Sequence, residues 1–174
     1  LYALESMDPV KNFDFLGFSL QYEMSFTNLL NMLSLSHVAL LSADRLETDP
    51  FVIAGGPCAF NPEPLADFVD LFMLGETEES LPELMEVYRK WKAEKGTRDT
   101  FLRMAAGVEG VYVPKFYRVD YREDGTIDRF YSVNPEIPDT IKKRFIKDLD
   151  HVYYPNNMVV SYVQTVHDRL SYEI

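Results

Sequence analysis

The 174-residue chain carries a net charge of −11, with 28 acidic and 17 basic side chains. An acidic surface repels phosphate backbones, and the densest basic run is the short Lys142–Arg144, so the composition argues against nucleic-acid binding by this segment. Cys58 is the single cysteine, and one thiol cannot build a disulfide framework, a zinc knuckle or an iron–sulfur cluster. The length predicts one domain, or one domain with a small extension. We expect a cytoplasmic protein, since no signal peptide or membrane-spanning run is visible.

The first half of the chain alternates between apolar runs and an amphipathic helix. Phe13–Leu20 is predicted to form a strand, with Ser19 near its carboxyl end. Apolar residues at helical spacing predict a helix over about residues 24–36. Phe51–Ala54 is a short apolar run of the kind that parallel strands buried on both faces use. These elements are typical of an α/β domain.

Two bends that contain glycine follow neighbouring predicted strands. Gly55-Gly56-Pro57 ends the strand at Phe51–Ala54, and Gly75-Glu76 ends a second apolar run, Asp70–Leu74. Glycine allows a positive φ and lacks the side chain that would hold a ligand away. Because ligands of open α/β sheets lie at the carboxyl edge, we expect the bends to form the floor of a binding crevice. The alternative is that they are tight turns of a compact domain.

The clearest helix in the sequence begins after Glu76. Thr77 is the predicted N-cap, Glu78 and Glu79 complement the helix dipole, and Gly96 is predicted to end the helix. The same acids disfavour phosphate binding at this helix N-terminus, so a nucleotide bound through its phosphates there is disfavoured. Glu76 would either accept a hydrogen bond from a ligand or cap the helix.

Beyond the first 106 residues the pattern changes to β-structure. Alternating runs at 116–121 and 126–133 flank Glu123-Asp124-Gly125, which predicts a β-hairpin with glycine in its turn. Ile141–Leu149 mixes basic and apolar residues, and we favour a strand over a helix there. Residues 159–174 read as extended segments.

No set of side chains in the sequence matches a catalytic or metal-binding motif. His37, His151 and His167 lack the spacing of a metal site. The triplet His167-Asp168-Arg169 is better explained as a strand-surface ion pair than as a functional site. Cys58 could face the crevice, but a small buried hydrophobic role fits a lone cysteine better. We therefore expect no catalysis by this chain alone.

The run VIAGGPCAFNPEPLADFVDLFMLGETEES resembles the cobalamin-binding-type domain that precedes the catalytic barrel in many radical S-adenosylmethionine (SAM) proteins. There, a GGP turn is followed, after a short helix and strand, by a GE-rich turn that opens a helix. LGFSLQYEMSFTNLLNML and VHDRLSYEI are similar to one uncharacterised branch of that group. The resemblance implies a flavodoxin-like, Rossmann-like parallel sheet whose first strands would lie before Leu1. A CxxxCxxC motif, which holds a [4Fe–4S] cluster in that family, would follow Ile174.

The resemblance also implies where a cofactor would bind. In cobalamin-binding relatives, the tail of the cofactor enters at the carboxyl edge of the sheet. The residues that correspond to this cleft are Ser19, Gly55, Gly56, Pro57, Gly75 and Glu76. The DxHxxG motif, whose histidine ligates cobalt in one class of binders, does not occur in this sequence.

The leading hypothesis is an accessory Rossmann-like domain over residues 1–106, with a β-hairpin extension and linker over 107–174. The domain would hold cobalamin, and the extension would lead to the barrel of a radical SAM Fe–S oxidoreductase or transferase. The competing hypothesis is a scaffold with an empty relic site that docks on the barrel of the same polypeptide. A stand-alone nucleotide enzyme is disfavoured because the phosphate-cradling glycine pattern is missing. Open sheet edges would favour self-association.

Overall fold

A four-stranded sheet with the order β1-β2-β3-β4 forms the centre of the protein, in a computed structural model that describes residues 1–153. The parallel strands are β1 (Phe15–Ser19), β2 (Phe51–Gly55) and β3 (Leu71–Met73). Strand β4 (Val111–Tyr112) pairs with β3 in the antiparallel direction. The fold is therefore α/β, as predicted, but the sheet is mixed rather than parallel throughout.

The connecting α-helices explain the directions of β2 and β4. Helix α1 (Phe26–Leu35) is the single α-helix between β1 and β2, and one helical crossover returns the chain to a parallel strand. Between β3 and β4 lie two helices that pack on each other, α2 (Thr77–Glu94) and α3 (Arg98–Ala105). Because the second helix reverses the direction of the first, the chain enters β4 from the opposite edge.

Both ends of α2 differ from the sequence prediction by one residue. Glu76, not Thr77, is the N-cap, and it makes no capping hydrogen bond with its side chain. At the other end, Lys95 takes the left-handed conformation with a φ of 53°. Gly96 is required for a different reason, because a Cβ atom there would lie 2.6 Å from the ring of Trp91.

Aromatic side chains fill the core between the sheet and the α2–α3 pair. Phe51 and Phe101 lie with their ring centroids 4.4 Å apart, and Phe15 contacts Tyr88 at 4.7 Å. The four residues of Phe51–Ala54 are all buried, as the continuous apolar run predicted. Aromatic pairs of this kind contribute about 0.5–1.5 kcal/mol each beyond the area they bury.

Buried charges tie the amino edge of the sheet together. The carboxylate of Asp70 accepts hydrogen bonds from Arg45 at 2.8 Å, from Arg98 at 2.6 Å and from the backbone N–H of Val52 at 2.7 Å. All three charged side chains are at least nine-tenths buried. The guanidinium of Arg98 also stacks on the ring of Phe51 at 4.1 Å. One carboxylate thus joins β2 and β3 to the loop before β2 and to α3.

The hairpin predicted after residue 106 is confirmed. Strands β5 (Tyr117–Tyr121) and β6 (Ile127–Ser132) pair antiparallel, and Gly125 in their turn has a φ of 82°. The strand favoured at Ile141–Leu149 was wrong in extent, because only Arg144 forms a β-bridge, to Gly75.

Two sequence predictions fall on residues that lie outside the described part of the chain. These are the extended segments at 159–174 and the triplet His167-Asp168-Arg169. Within residues 1–153, no helix combines the length and apolar character that crossing a bilayer requires.

Candidate functional site

The two glycine bends lie side by side at the carboxyl edge of the sheet. Strands β2 and β3 are adjacent and parallel, with Ile53 opposite Leu71, so the bends that follow them are neighbours. Strand β1 ends at the same edge, where Ser19 lies opposite Gly55. This edge therefore contains every residue that the sequence assigned to a cleft.

An apolar slot of about 350 Å³ opens between the sheet and α2 at this edge. One wall is the face of the sheet at Gly17 and Gly55, where no side chain projects. The other wall is α2, which presents Thr77, Leu81 and Met85 at intervals of four residues. We call this space the glycine slot. Its remaining lining residues are Phe15, Phe18, Ser19, Ile53, Gly56 and Met73.

Gly17 and Gly55 leave room that the protein does not fill. A Cβ atom on Gly17 would meet none of the described atoms within 4 Å. A Cβ atom on Gly55 would make only an ordinary contact, 3.6 Å from the carbonyl oxygen of Met73. Neither glycine has a positive φ, so the backbone would accept other residues there. What glycine provides at these positions is space.

Gly56 packs against the protein's own backbone, and Pro57 lies outside the glycine slot. Gly56 has a φ of 93°, and a Cβ atom on it would lie 2.9 Å from the carbonyl oxygen of Leu20. Leu20 donates its N–H to Gly55 at 2.7 Å, and its carbonyl accepts the N–H of Cys58 at 3.0 Å. This bend is therefore joined to the chain after β1. Pro57 is exposed and does not line the slot.

Gly75 and Glu76 are covered by a later part of the chain. Arg144 donates its N–H to the carbonyl of Leu74 at 2.9 Å, and its own carbonyl accepts the N–H of Glu76 at 3.3 Å. The carboxylate of Glu76 accepts the N–H of Ile146 at 2.7 Å. Gly75 has a φ of 103°, and a Cβ atom on it would collide with the backbone of Arg144. Neither Gly75 nor Glu76 lines the glycine slot.

The side chain of Arg144 continues into a group of glutamates. Its guanidinium lies 2.9 Å from Glu79, 2.7 Å from Glu83 and 3.6 Å from Glu109. The hydrogen bond that Arg144 donates to Glu79, followed by the one that it donates to Glu83, raises the pKa of Arg144 above its ordinary value. The arginine stays 17% exposed and the glutamates about half exposed, so solvent screens each pair.

Comparison with known proteins identifies the family. Residues 1–114 match the family model described as radical SAM proteins, N-terminal. The chain belongs to this family. An uncharacterized protein of Methanocaldococcus jannaschii is 32% identical over 124 residues, which cover 70% of this chain and 26% of that relative. The radical SAM N-terminal chain thus spans about a quarter of the relative it matches. No solved structure matches it.

The slot wall on α2 of this radical SAM N-terminal chain was not recognised from the sequence. The spacing of Leu81, Leu84 and Met85 places them on one apolar face of the helix, but Leu84 is fully buried whereas Leu81 is 41% exposed. The signal that could have found the slot is Gly17, an isolated glycine inside a strand, because such a glycine often marks close approach of another group. Arg144 gave no local signal of its role.

The described residues of the radical SAM N-terminal chain offer no metal centre. Within residues 1–153, no three His, Cys, Asp or Glu side chains come together in a group that could hold an ion. His151 forms a hydrogen bond with Asp148 on the surface, with 2.8 Å between Nδ1 and the carboxylate. His37 follows α1 and has a φ of 56°. Half-buried Cys58 packs against the core, and burial raises the pKa of its thiol.

Proposed function

We propose that this chain is the accessory N-terminal domain of a radical SAM protein and that the glycine slot receives the nucleotide tail of cobalamin. The chain is not catalytic by itself. SAM and the [4Fe–4S] cluster act in the barrel of the same polypeptide, which is an Fe–S oxidoreductase or transferase. The observation that carries the proposal is the pair Gly17 and Gly55, which leave space beside α2 without a structural need for glycine.

The shape and chemistry of the slot suit a flat apolar group. The benzimidazole of the cofactor tail is planar, and the bare backbone at Gly17 and Gly55 forms a flat surface against which a ring can lie. Leu81 and Met85 would cover its other face, and a methionine adapts readily to an aromatic partner. At about 350 Å³, the slot lies at the small end of ligand sites, so it suits a tail rather than a whole cofactor.

Polar groups stand at the same edge. Ser19 lies beside Gly55 at the end of β1, and its hydroxyl accepts a hydrogen bond from Gln21 at 3.1 Å. Thr77 is the first residue of α2. These hydroxyls would bind the sugar of the tail. Cobalamin, when bound, supplies a cobalt centre that carries a methyl group or an electron. Because no residue lining the slot is a histidine, we assign the slot to the tail alone.

A second candidate function is a scaffold, and a specific observation favours it. The backbones of Leu20 and Arg144 occupy the space where Gly56 and Gly75 lack a side chain, so each of the two glycine bends contributes to internal packing. In this case the domain would dock on the barrel and fix the path of the connecting chain. Under either function, residues 1–106 act as a Rossmann-like, flavodoxin-like unit whose sheet is completed by β4, and the rest of residues 107–174 acts as the connection.

Retention of hydroxocobalamin distinguishes the two functions. The chain is incubated with the cofactor, passed over a gel-filtration column and examined for colour in the protein peak. We expect colour with the natural chain and none with Gly17→Leu, whose side chain fills the slot. The matched control is Glu86→Leu on the exposed side of α2, which should retain colour. A colourless natural chain would exclude the tail site and leave the scaffold.

A further inference from the structure

A group of glutamates and two glycines with positive φ lies at the carboxyl edge beside β3 and β4. We call it the acidic notch. Its floor and walls are formed by Gly75, Gly110, Glu79, Glu83 and Glu109. In this structure the notch holds Arg144, whose side chain is 83% buried there although it belongs to a strongly basic surface segment.

The floor of the notch is shaped for an extended backbone. Gly75 and Gly110 both have positive φ, and a Cβ atom on either would press against Arg144. Arg144 makes a parallel β-bridge to Gly75, and the carboxylate of Glu76 adds a bond to the N–H of Ile146. Hydrogen bonds of this kind recognise a strand through its main chain, without regard to most of its sequence.

The walls of the notch select arginine. The guanidinium reaches Glu79 through two of its nitrogens, at 3.3 and 2.9 Å, and reaches both oxygens of Glu83, at 3.4 and 2.7 Å. A lysine has one nitrogen and cannot span these carboxylates in the same way. The neighbours Lys142, Lys143 and Lys147 give the segment around Arg144 a positive charge. By contrast, Phe145 is 62% exposed and contributes little.

We propose that the acidic notch is a docking site for an extended basic peptide centred on arginine, and that residues 143–146 occupy it in cis. Tethering gives such a segment a local concentration in the millimolar range, so it excludes the same sequence offered in trans. Release of the tethered segment opens the notch to an extended segment of the same chemistry from a partner. The site is independent of the glycine slot, so it stands whether or not cobalamin binds.

Peptide binding to a released variant tests the proposal. Arg144→Glu places a negative charge among the glutamates and should expel residues 143–146. Fluorescein-labelled IKKRFIKD, the sequence of residues 141–148, is titrated by anisotropy against the natural chain and against this variant. We expect at least about tenfold tighter binding to the variant, and about tenfold weaker binding of the control peptide IKKAFIKD. Equal binding of the two peptides, or none to the variant, would overturn the proposal.

Hydrogen exchange provides a second readout that needs no peptide and a milder substitution. In Arg144→Ala, the amides of Arg144, Ile146 and Glu76 should exchange about tenfold faster than in the natural chain, because the side-chain anchor is lost. Amides of β2 should be unchanged, which shows that the domain is folded. If the three amides keep their protection, the arginine does not hold the segment and the notch is not a docking site.

Discussion

The carboxyl edge of the sheet has two halves that use glycine in opposite ways. On the β1–β2 half, Gly17 and Gly55 have ordinary backbone angles and leave space beside α2. On the β3–β4 half, Gly75 and Gly110 have positive φ, and Arg144 fills the space above them. A glycine at the edge of a sheet therefore indicates a ligand site only where the protein's own backbone does not occupy the place of the missing side chain.

The largest effect is expected at Asp70, which joins β2 to the start of β3 at the amino edge of the sheet, opposite the glycine bends. Asp70→Ala leaves the buried guanidinium groups of Arg45 and Arg98 without their carboxylate and should lower the free energy of unfolding by about 3–5 kcal/mol. Urea denaturation measures the change. Asp67→Ala is the control, because Asp67 is exposed, and it should change stability by less than about 0.5 kcal/mol. Equal losses would show that the buried ion pairs do not maintain the edge.

Placing the same side chain on each half of the carboxyl edge tests whether the two halves use glycine in opposite ways. Gly75→Val forces a β-branched residue into a positive φ and against Arg144, which should cost about 1–3 kcal/mol. Gly17→Val meets open space at an ordinary φ in a strand, so it should be within about 0.5 kcal/mol of the natural chain. Thermal and urea unfolding of the two variants check this. Similar losses in both would remove the distinction between the two halves.

The buried Tyr112 in β4 predicts that the free energy of unfolding decreases at alkaline pH. Burial, together with the hydrogen bond that Tyr112 donates to Glu63 at 2.6 Å, raises the pKa of Tyr112 well above its ordinary value. The raised pKa contributes stability that is fully present below about pH 10 and is lost above it, at up to about 1.4 kcal/mol per pH unit. Tyr112→Phe should flatten this alkaline loss in urea denaturation at pH 9–11. If the free energy of unfolding of Tyr112→Phe falls with pH as steeply as that of the natural chain, other groups cause the alkaline loss of stability.

The smallest effect on stability is expected for a substitution that keeps the charge in the acidic notch but changes the shape of the side chain. Arg144→Lys keeps the charge but loses the planar fork that spans Glu79 and Glu83, so it should cost about 0.5–1 kcal/mol. Arg122→Lys is the matched control, because Arg122 makes one exposed pair, with Asp128 at 2.9 Å, and should cost close to zero. Equal costs for the two variants would mean that the notch recognises charge alone.

Local signals were enough to predict the strands and their common edge. The apolar runs at Phe51–Ala54 and Asp70–Leu74 carry their own evidence of burial, and parallel pairing then places the bends that follow them side by side. The direction of β4 was not predictable in this way, because it depends on α2 and α3 packing as a pair. The GGP and GE-rich turns predicted the N-terminal domain of a radical SAM protein, and the match over residues 1–114 confirms that part of the prediction.

Long-range contacts explain what the sequence did not reveal. Asp70 was read only as the first residue of an apolar run, but its arginine partners lie 25 and 28 residues away along the chain. Arg144 occupies the space where a side chain of Gly75 would lie, but its neighbours in the sequence are typical of an ordinary basic surface. Gly56 shows the same limit, because the backbone of Leu20 that contacts it belongs to another strand end. Which glycines are free can be decided only in three dimensions.

The glycine slot is tested most directly by comparing hydroxocobalamin with cobinamide, which has the corrin ring but lacks the nucleotide tail. Equilibrium dialysis against the natural chain should give at least about tenfold tighter binding of hydroxocobalamin, because only its tail can bury apolar surface in the slot. Gly17→Leu should abolish that difference. Equal affinities of the natural chain for the two compounds, or no binding of either, would contradict a tail site beside Gly17 and Gly55.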